Sequence, residues 1–239
     1  MPTLEWIGKS KVINHHQKVP FRVLERKYSF DENGQHSEDN GSENMIIRGD
    51  NLEALKALLP RYEGRVKCIY IDPPYNTGNE GWVYNDNVND PKIKKWLGEV
   101  VGKEGEDLTR HDKWLCMMYP RLKLLQKLLA DDGVIFISID DREQVLLRMI
   151  CNEIFGENNF LAQFVWQKRT SPDMRKLVST AHEYVCAYCK DISYLPNAIS
   201  KVALSEEDAE NYKNPDNDPR GPWASSDFTA QGFRPNQMY

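Results

Sequence analysis

The chain has 239 residues, 40% of them hydrophobic and 28% charged, with a formal net charge of −5. That length supports one sizeable core, or one domain with appendages, and the acidic balance excludes a surface that attracts nucleic acid everywhere. No run approaches the ~18 apolar residues of a membrane span, and the start MPTLEWIGKSKV lacks a signal peptide's apolar core, so a soluble, cytoplasmic protein with no membrane partner is expected.

Residues 1–44 read as a polar, irregular extension ending in the connector DENGQHSEDNGSEN (31–44). Met45–Ile47 reads as a short strand. From Asp50 the pattern turns helical, with Leu52, Leu55, Leu58 and Leu59 on one side, Pro60 as the stop, and Asp50 with Glu53 as a capping box. Val66–Ile71 is apolar enough to be buried on both faces, as in a parallel sheet.

Residues 76–111 form a long polar insert rich in Gly, Asn and Asp, a functional loop or a locally disordered one. Leu115, Met118, Leu122, Leu125 and Leu129 then mark an amphipathic helix that Pro120 should kink or divide. Asp131-Asp132-Gly133 closes it, and Val134–Ile139 is a third buried strand. Asp141 and Gln144 cap the next helix, which ends at Gly156.

Phe160–Trp166 and Glu183–Cys189 are two more strands, joined by a basic segment with Lys168, Arg169, Arg175 and Lys176. Arg121, Lys123 and Lys127 look like the solvated face of a helix. The five cysteines are odd in number and scattered, which suggests reduced thiols, and Cys186-Ala-Tyr-Cys189 suits a strand better than a metal site. Residues 205–239 show no convincing periodicity. Alternating strands and helices predict a doubly wound α/β sheet with one antiparallel edge strand.

Ligands of open parallel sheets bind beyond the carboxyl ends of the strands, where Asp50, Asp72 and Asp140 fall. Asp50 and Asp140 are also adequate helix caps. Asp72 is different because Pro73, Pro74 and Tyr75 follow it. The prolines stiffen the backbone, which holds the Tyr75 ring at a defined angle to the Asp72 carboxylate. The carboxylate and the Pro73 carbonyl can accept hydrogen bonds from an exocyclic amino group, while the ring stacks on the base that carries it. Such bonds draw density onto a nitrogen whose lone pair is otherwise delocalised. A base inside a duplex must first be flipped out, at a cost of a few kcal/mol, and stacking returns about 1–3 kcal/mol.

IYIDPPYNTGNEGWVYND (69–86) resembles the catalytic stretch of beta-class DNA amino-methyltransferases, and more narrowly the modification subunits of type III restriction–modification systems. IIRGDNLEALKALLP (46–60), WLCMMYPRLKLLQKLLADDGVIFISIDDRE (114–143), FVWQKRTSP (164–172) and HEYVCAYCKD (182–191) match the same family in order and spacing. The resemblance implies a circularly permuted, Rossmann-like methyltransferase fold, S-adenosylmethionine as cofactor without a metal, and N6-methyladenine in DNA as product. It assigns catalysis to Asp72, Pro73, Pro74 and Tyr75, and cofactor contacts to Asp50, Asn51 and Asp72. DNA contacts fall to Tyr75, Asn76, Lys168 and Arg169. Implied partners are double-stranded DNA, a restriction subunit with helicase and nuclease activity, and a second copy of the full-length chain.

The family's glycine-rich F-x-G-x-G signature lies beyond its target-recognition region, and here the late candidate Gln231-Gly232-Phe233 does not match it. The expectation is therefore an N-terminal fragment, with a catalytic half at 45–195 and the start of a linker or recognition region at 196–239, binding cofactor weakly alone. Two alternatives stay open: a cytosine-N4 methyltransferase, and a remnant that serves in DNA binding or assembly without catalysis. A protein-glutamine methyltransferase would more often carry Asn in place of Asp72.

Overall fold

The structure, a computed structural model, describes residues 3–76, 91–101, 109–171, 177–198, 212–215, 217 and 219–223. The chain divides into two compact units, Met1–Ala198 and Ile199–Tyr239. In the second, Lys213 and Trp223 form an isolated antiparallel bridge.

The first unit begins with two single-turn helices, α1 (Lys9–Val12) and α2 (His15–Lys18). Val12 and Val19 lie in the core, and the Lys9 ammonium bridges the Leu4 carbonyl at 2.8 Å and Glu153 at 3.0 Å. This segment is therefore built into the fold rather than merely connecting to it; its few apolar residues were too sparse to show a period. A small hairpin follows, β1 (Ser29–Asp31) with β2 (Gly34–His36).

Met45–Ile47 does not form the expected strand, and Ile46 is 96% exposed. Three apolar residues take β geometry only where a neighbour supplies ladder bonds, and among the described residues none pairs with them. Helix α3 (Asn51–Tyr62) starts as expected on Asp50, whose Oδ1 accepts from the Leu52 and Glu53 amides at 2.9 and 3.1 Å. Glu53 instead pairs with Arg22 at 3.1 Å. Pro60 does not stop the helix. It sits in the last turn, where its missing N–H forfeits one bond.

The main sheet has the order β3-β4-β6-β5, with β3 (Val66–Ile71), β4 (Leu129–Ile139), β5 (Phe160–Gln167) and β6 (His182–Cys189). β3 and β4 are parallel, whereas β6 is antiparallel to both of its neighbours. Three strands thus share one direction, but the antiparallel strand lies inside the sheet and β5 forms the edge. Ile69, Ile135, Ile137, Ile139, Cys186 and Tyr188 face the core with α3, α5 (Arg110–Leu128) and α6 (Gln144–Phe155).

The opposite face carries Tyr70, Phe136, Phe164 and Trp166, with no helix over it among the described residues; Tyr70 and Trp166 are more than 60% exposed. For that reason β3 is not buried on both sides: Ile69 is its one buried residue. The result is a mixed α/β sheet with one helical layer, a partial Rossmann-like arrangement.

The polar insert holds helix α4 (Pro91–Val100), which buries Leu97 while Val101 is buried just beyond its end. Its Gly, Asn and Asp content masked that short stripe. Helix α5 starts at Arg110, on a Thr109–Asp112 capping box, a signal present in the sequence. Pro120 lies inside this single helix.

Asp131, Asp132 and Gly133 belong to β4 rather than to a helix end, at a register shift where Val66 pairs with Leu129 and Cys68 with Val134. A Cβ on Gly133 would lie 2.7 Å from the Val66 carbonyl oxygen and 2.9 Å from that of Ala130. Gly133→Ala should therefore force a backbone shift and destabilise the protein by about 1–3 kcal/mol in denaturant melts. A variant as stable as the wild type would contradict this packing.

Candidate active site

β3 ends at Ile71, and the chain continues through an exposed Asp72, a buried Pro73, half-buried Pro74 and Tyr75, and a buried Asn76. The strand's alternation sends Asp72 toward the open Tyr70 face. The Tyr75 ring lies within electrostatic reach of the Asp72 carboxylate, three residues before it across the two prolines. Ser138, near the end of β4, bonds the Tyr70 phenol at 2.7 Å. Burial, followed by the charges of Asp72 and Glu183, pushes the Tyr75 phenol well above its usual range, so it stays protonated. The acid and the ring thus lie together at the carboxyl end of a parallel strand.

Two helices brace this corner from behind. Trp114 of α5 donates its Nε1–H to the Pro74 carbonyl at 2.6 Å. Asn76 adopts φ 58°, a left-handed conformation that asparagine tolerates better than most residues. Its amide donates to the Glu143 carboxylate and, at 3.3 Å, to the Arg110 carbonyl. With only 1% of its surface exposed, Asn76 braces the motif from inside the fold.

Glu143 is fully buried at the position before α6, and its Oε1 also meets His111 Nδ1 at 2.7 Å. Burial raises the Glu143 pKa, opposed by its bonds to Asn76 and His111. Sequence reasoning missed both Glu143 and His111. It gave the cap of α6 to Asp141 and Gln144, whereas the Gln144 amide bonds the Asp140 backbone carbonyl at 3.2 Å. The usable signal was a charged residue just ahead of a helix with no solvent-facing partner in its own segment.

The Asp140 carboxylate accepts from the Arg142 amide at 3.0 Å, a local structural role. At the start of α3, Asn51 Oδ1 accepts from Arg121 Nε at 2.8 Å. Arg121 is therefore not on a solvated face. Burial lowers its pKa to about 10, with the Asp50 charge opposing. Both capping N–H groups converge on Asp50 Oδ1, so its other oxygen is not spent on the cap.

On the far side of the motif, the Lys168 and Arg169 amides both donate to the Ala181 carbonyl, at 2.8 and 3.1 Å. The Lys168 ammonium is ion-paired with Glu183 and lies 6.0 Å from the Tyr75 ring centroid. Lys168 is thus brought to the motif itself, while Arg169 is exposed beside it. Arg175 and Lys176 lie outside the described residues. Among the described residues no three His, Cys, Asp or Glu side chains are grouped to hold a metal, and no helix is long and apolar enough to cross a membrane.

Comparison with known proteins identifies the family. The family model described as DNA methylase, of the N6/N4 type, matches residues 66–237. The chain is 36% identical over 231 residues to the Mod subunit of the type III restriction–modification enzyme EcoP15I of Escherichia coli, covering 88% of this chain and 35% of that protein. It is 38% identical over 203 residues to the EcoPI Mod subunit of Escherichia phage P1, covering 79% and 30%. The type II methyltransferase M.KpnI of Klebsiella pneumoniae is 33% identical over 165 residues, covering 69% and 36%. The chain spans about a third of the length of these curated relatives. With a family match across most of its residues and the acid–proline–proline–tyrosine corner at its strand end, this chain belongs to the N6/N4 DNA methylase family.

Proposed function

We propose that this chain carries the catalytic corner of a DNA methyltransferase that modifies the N6 amino group of a flipped adenine. The observation that carries the reading is the exposed Asp72 carboxylate followed, across two prolines at the end of β3, by a half-buried Tyr75 ring that feels its charge. The amino N–H groups of the base would donate to Asp72 and to the Pro73 carbonyl, while the Tyr75 ring stacks on the base. Asp72 is exposed, so an incoming base can reach its carboxylate.

S-adenosylmethionine, when bound, supplies an electrophilic methyl group on a cationic sulfonium. The residues present suit such a cation: Asp72 and Glu183 both act on Tyr75 with negative charge. Asp50, with an oxygen outside its cap, and Asn51, held by Arg121, would contact the adenosine portion. The match to Mod subunits supports a modification subunit working in the cytoplasm beside a restriction subunit. A second copy of the full-length chain is a further proposed partner.

The test uses the complete gene product with methyl-labelled cofactor and duplex DNA, followed by nucleoside analysis. Label in N6-methyladenine supports the reading. Label in N4-methylcytosine would move the target to cytosine, and no transfer would favour a non-catalytic role.

Lys168 and Arg169 are proposed to meet DNA phosphate. Lys168 would leave Glu183 as the base enters over Tyr75. Lys168→Met should weaken binding alike for all duplex sequences and reduce the salt slope of log K by about 1. An unchanged slope would remove Lys168 from the interface.

A further inference from the structure

Asn76 and Glu143 form an expensive arrangement. A non-glycine residue is held at positive φ, a carboxylate is taken fully out of water, and each side chain keeps one buried oxygen, Asn76 Oδ1 and Glu143 Oε2, without a hydrogen-bond partner among the described residues. Unsatisfied buried oxygens and left-handed backbone each oppose folding. An apolar filling of the same space would avoid these costs. What the arrangement gives in return is position. Through one oxygen, Glu143 Oε1, it ties three segments together: the residue after Tyr75, the first turn of α5 through His111, and the start of α6. The Asn76 bond to the Arg110 carbonyl and the Trp114 bond to the Pro74 carbonyl lie on the same side.

We propose that Glu143 is a positioning residue for methyl transfer, acting through Asn76 to fix the Asp72–Tyr75 corner, with His111 as its second anchor. The proposal rests on the catalytic reading above. Glu143 touches neither base nor cofactor, so its loss loosens the corner without removing a reacting group. A displacement of about 1 Å at such a corner costs up to 10²-fold in rate. The expected effect therefore falls on kcat rather than on the KM for cofactor.

The test combines Glu143→Ala, Glu143→Gln and Asn76→Gly in the complete gene product. Glycine accepts the positive φ at position 76 but cannot make the tie. Glu143→Ala and Asn76→Gly should each lower kcat by about 10- to 100-fold. Their double variant should be no worse than either alone, because both break one connection. Glu143→Gln keeps an oxygen acceptor for both donors and should restore most of kcat. Amide exchange at Tyr75 and Asn76 gives a readout independent of methylation: faster in Glu143→Ala, near wild type in Glu143→Gln.

Additive losses, failure of the glutamine variant to rescue, or unchanged exchange in Glu143→Ala would each overturn the proposal. If the wild type transfers no methyl group, the catalytic reading fails. The exchange measurement then still decides whether Glu143 orders the corner.

Discussion

Asp72→Ala should reduce methyl transfer by at least 10²–10³-fold, the range found when a single preorganised polar group is removed from a reaction centre. Asp72 does two jobs at once: it would accept from the base amino group, and its charge would draw electron density onto the amino nitrogen. Asp72→Asn separates them. The amide oxygen can still accept a hydrogen bond from the base, but it carries no charge with which to draw density onto the nitrogen. Asn should therefore keep binding of a flipped base intact, while kcat stays low. Tyr75→Phe should be milder than either, because stacking survives the loss of the hydroxyl. Full transfer by the alanine variant would remove Asp72 from the chemistry. The exposed setting of Asp72 makes misfolding a poor explanation for its loss.

Trp114→Ala should produce the largest stability loss near the site, about 3–5 kcal/mol. Trp114 is completely buried, among the largest side chains in the core, and total domain stabilities lie at about 5–15 kcal/mol. Trp114→Phe keeps most of the packing but leaves the Pro74 carbonyl without its indole donor. That change should cost about 1 kcal/mol for the lost bond, and it should lower methylation further than its stability alone accounts for. Chemical melts paired with the transfer assay distinguish these outcomes. Equal effects of Phe and Ala on stability would show that the hydrogen bond, not the ring's volume, dominates.

Local patterns recovered much of this arrangement. Residues 66–71, 160–166 and 183–189 are strands in the structure to within a residue, because continuous β-branched and aromatic runs have few other solutions. The α3 cap on Asp50 and the end of α6 at Gly156 were equally local. What failed depended on the rest of the molecule. Met45–Ile47 has the composition of a strand and no ladder partner among the described residues. β3 has the composition of a central strand and lies at an edge.

The corner itself was readable as Asp72–Tyr75, since four adjacent residues make it. Its bracing was not: Asn76, His111, Trp114 and Glu143 come from three separated segments. Their contacts exist only once the helices dock. Lys168 shows the middle case. Its place in the sequence suggested a role at the DNA, but its pairing with Glu183 above Tyr75 needed the β5–β6 register.

The bond between the Asn76 amide and the Arg110 carbonyl, 3.3 Å long, has a consequence for how such a chain can diversify. It staples together the two ends of everything between positions 76 and 110. Once the two ends of a loop are fixed, each doubling of its length costs only about 0.6 kcal/mol. Helix α4 docks Leu97 into the core within that stretch, so a change of length on either side of it would be taken up between tied points, and the Asp72–Tyr75 corner would keep its place.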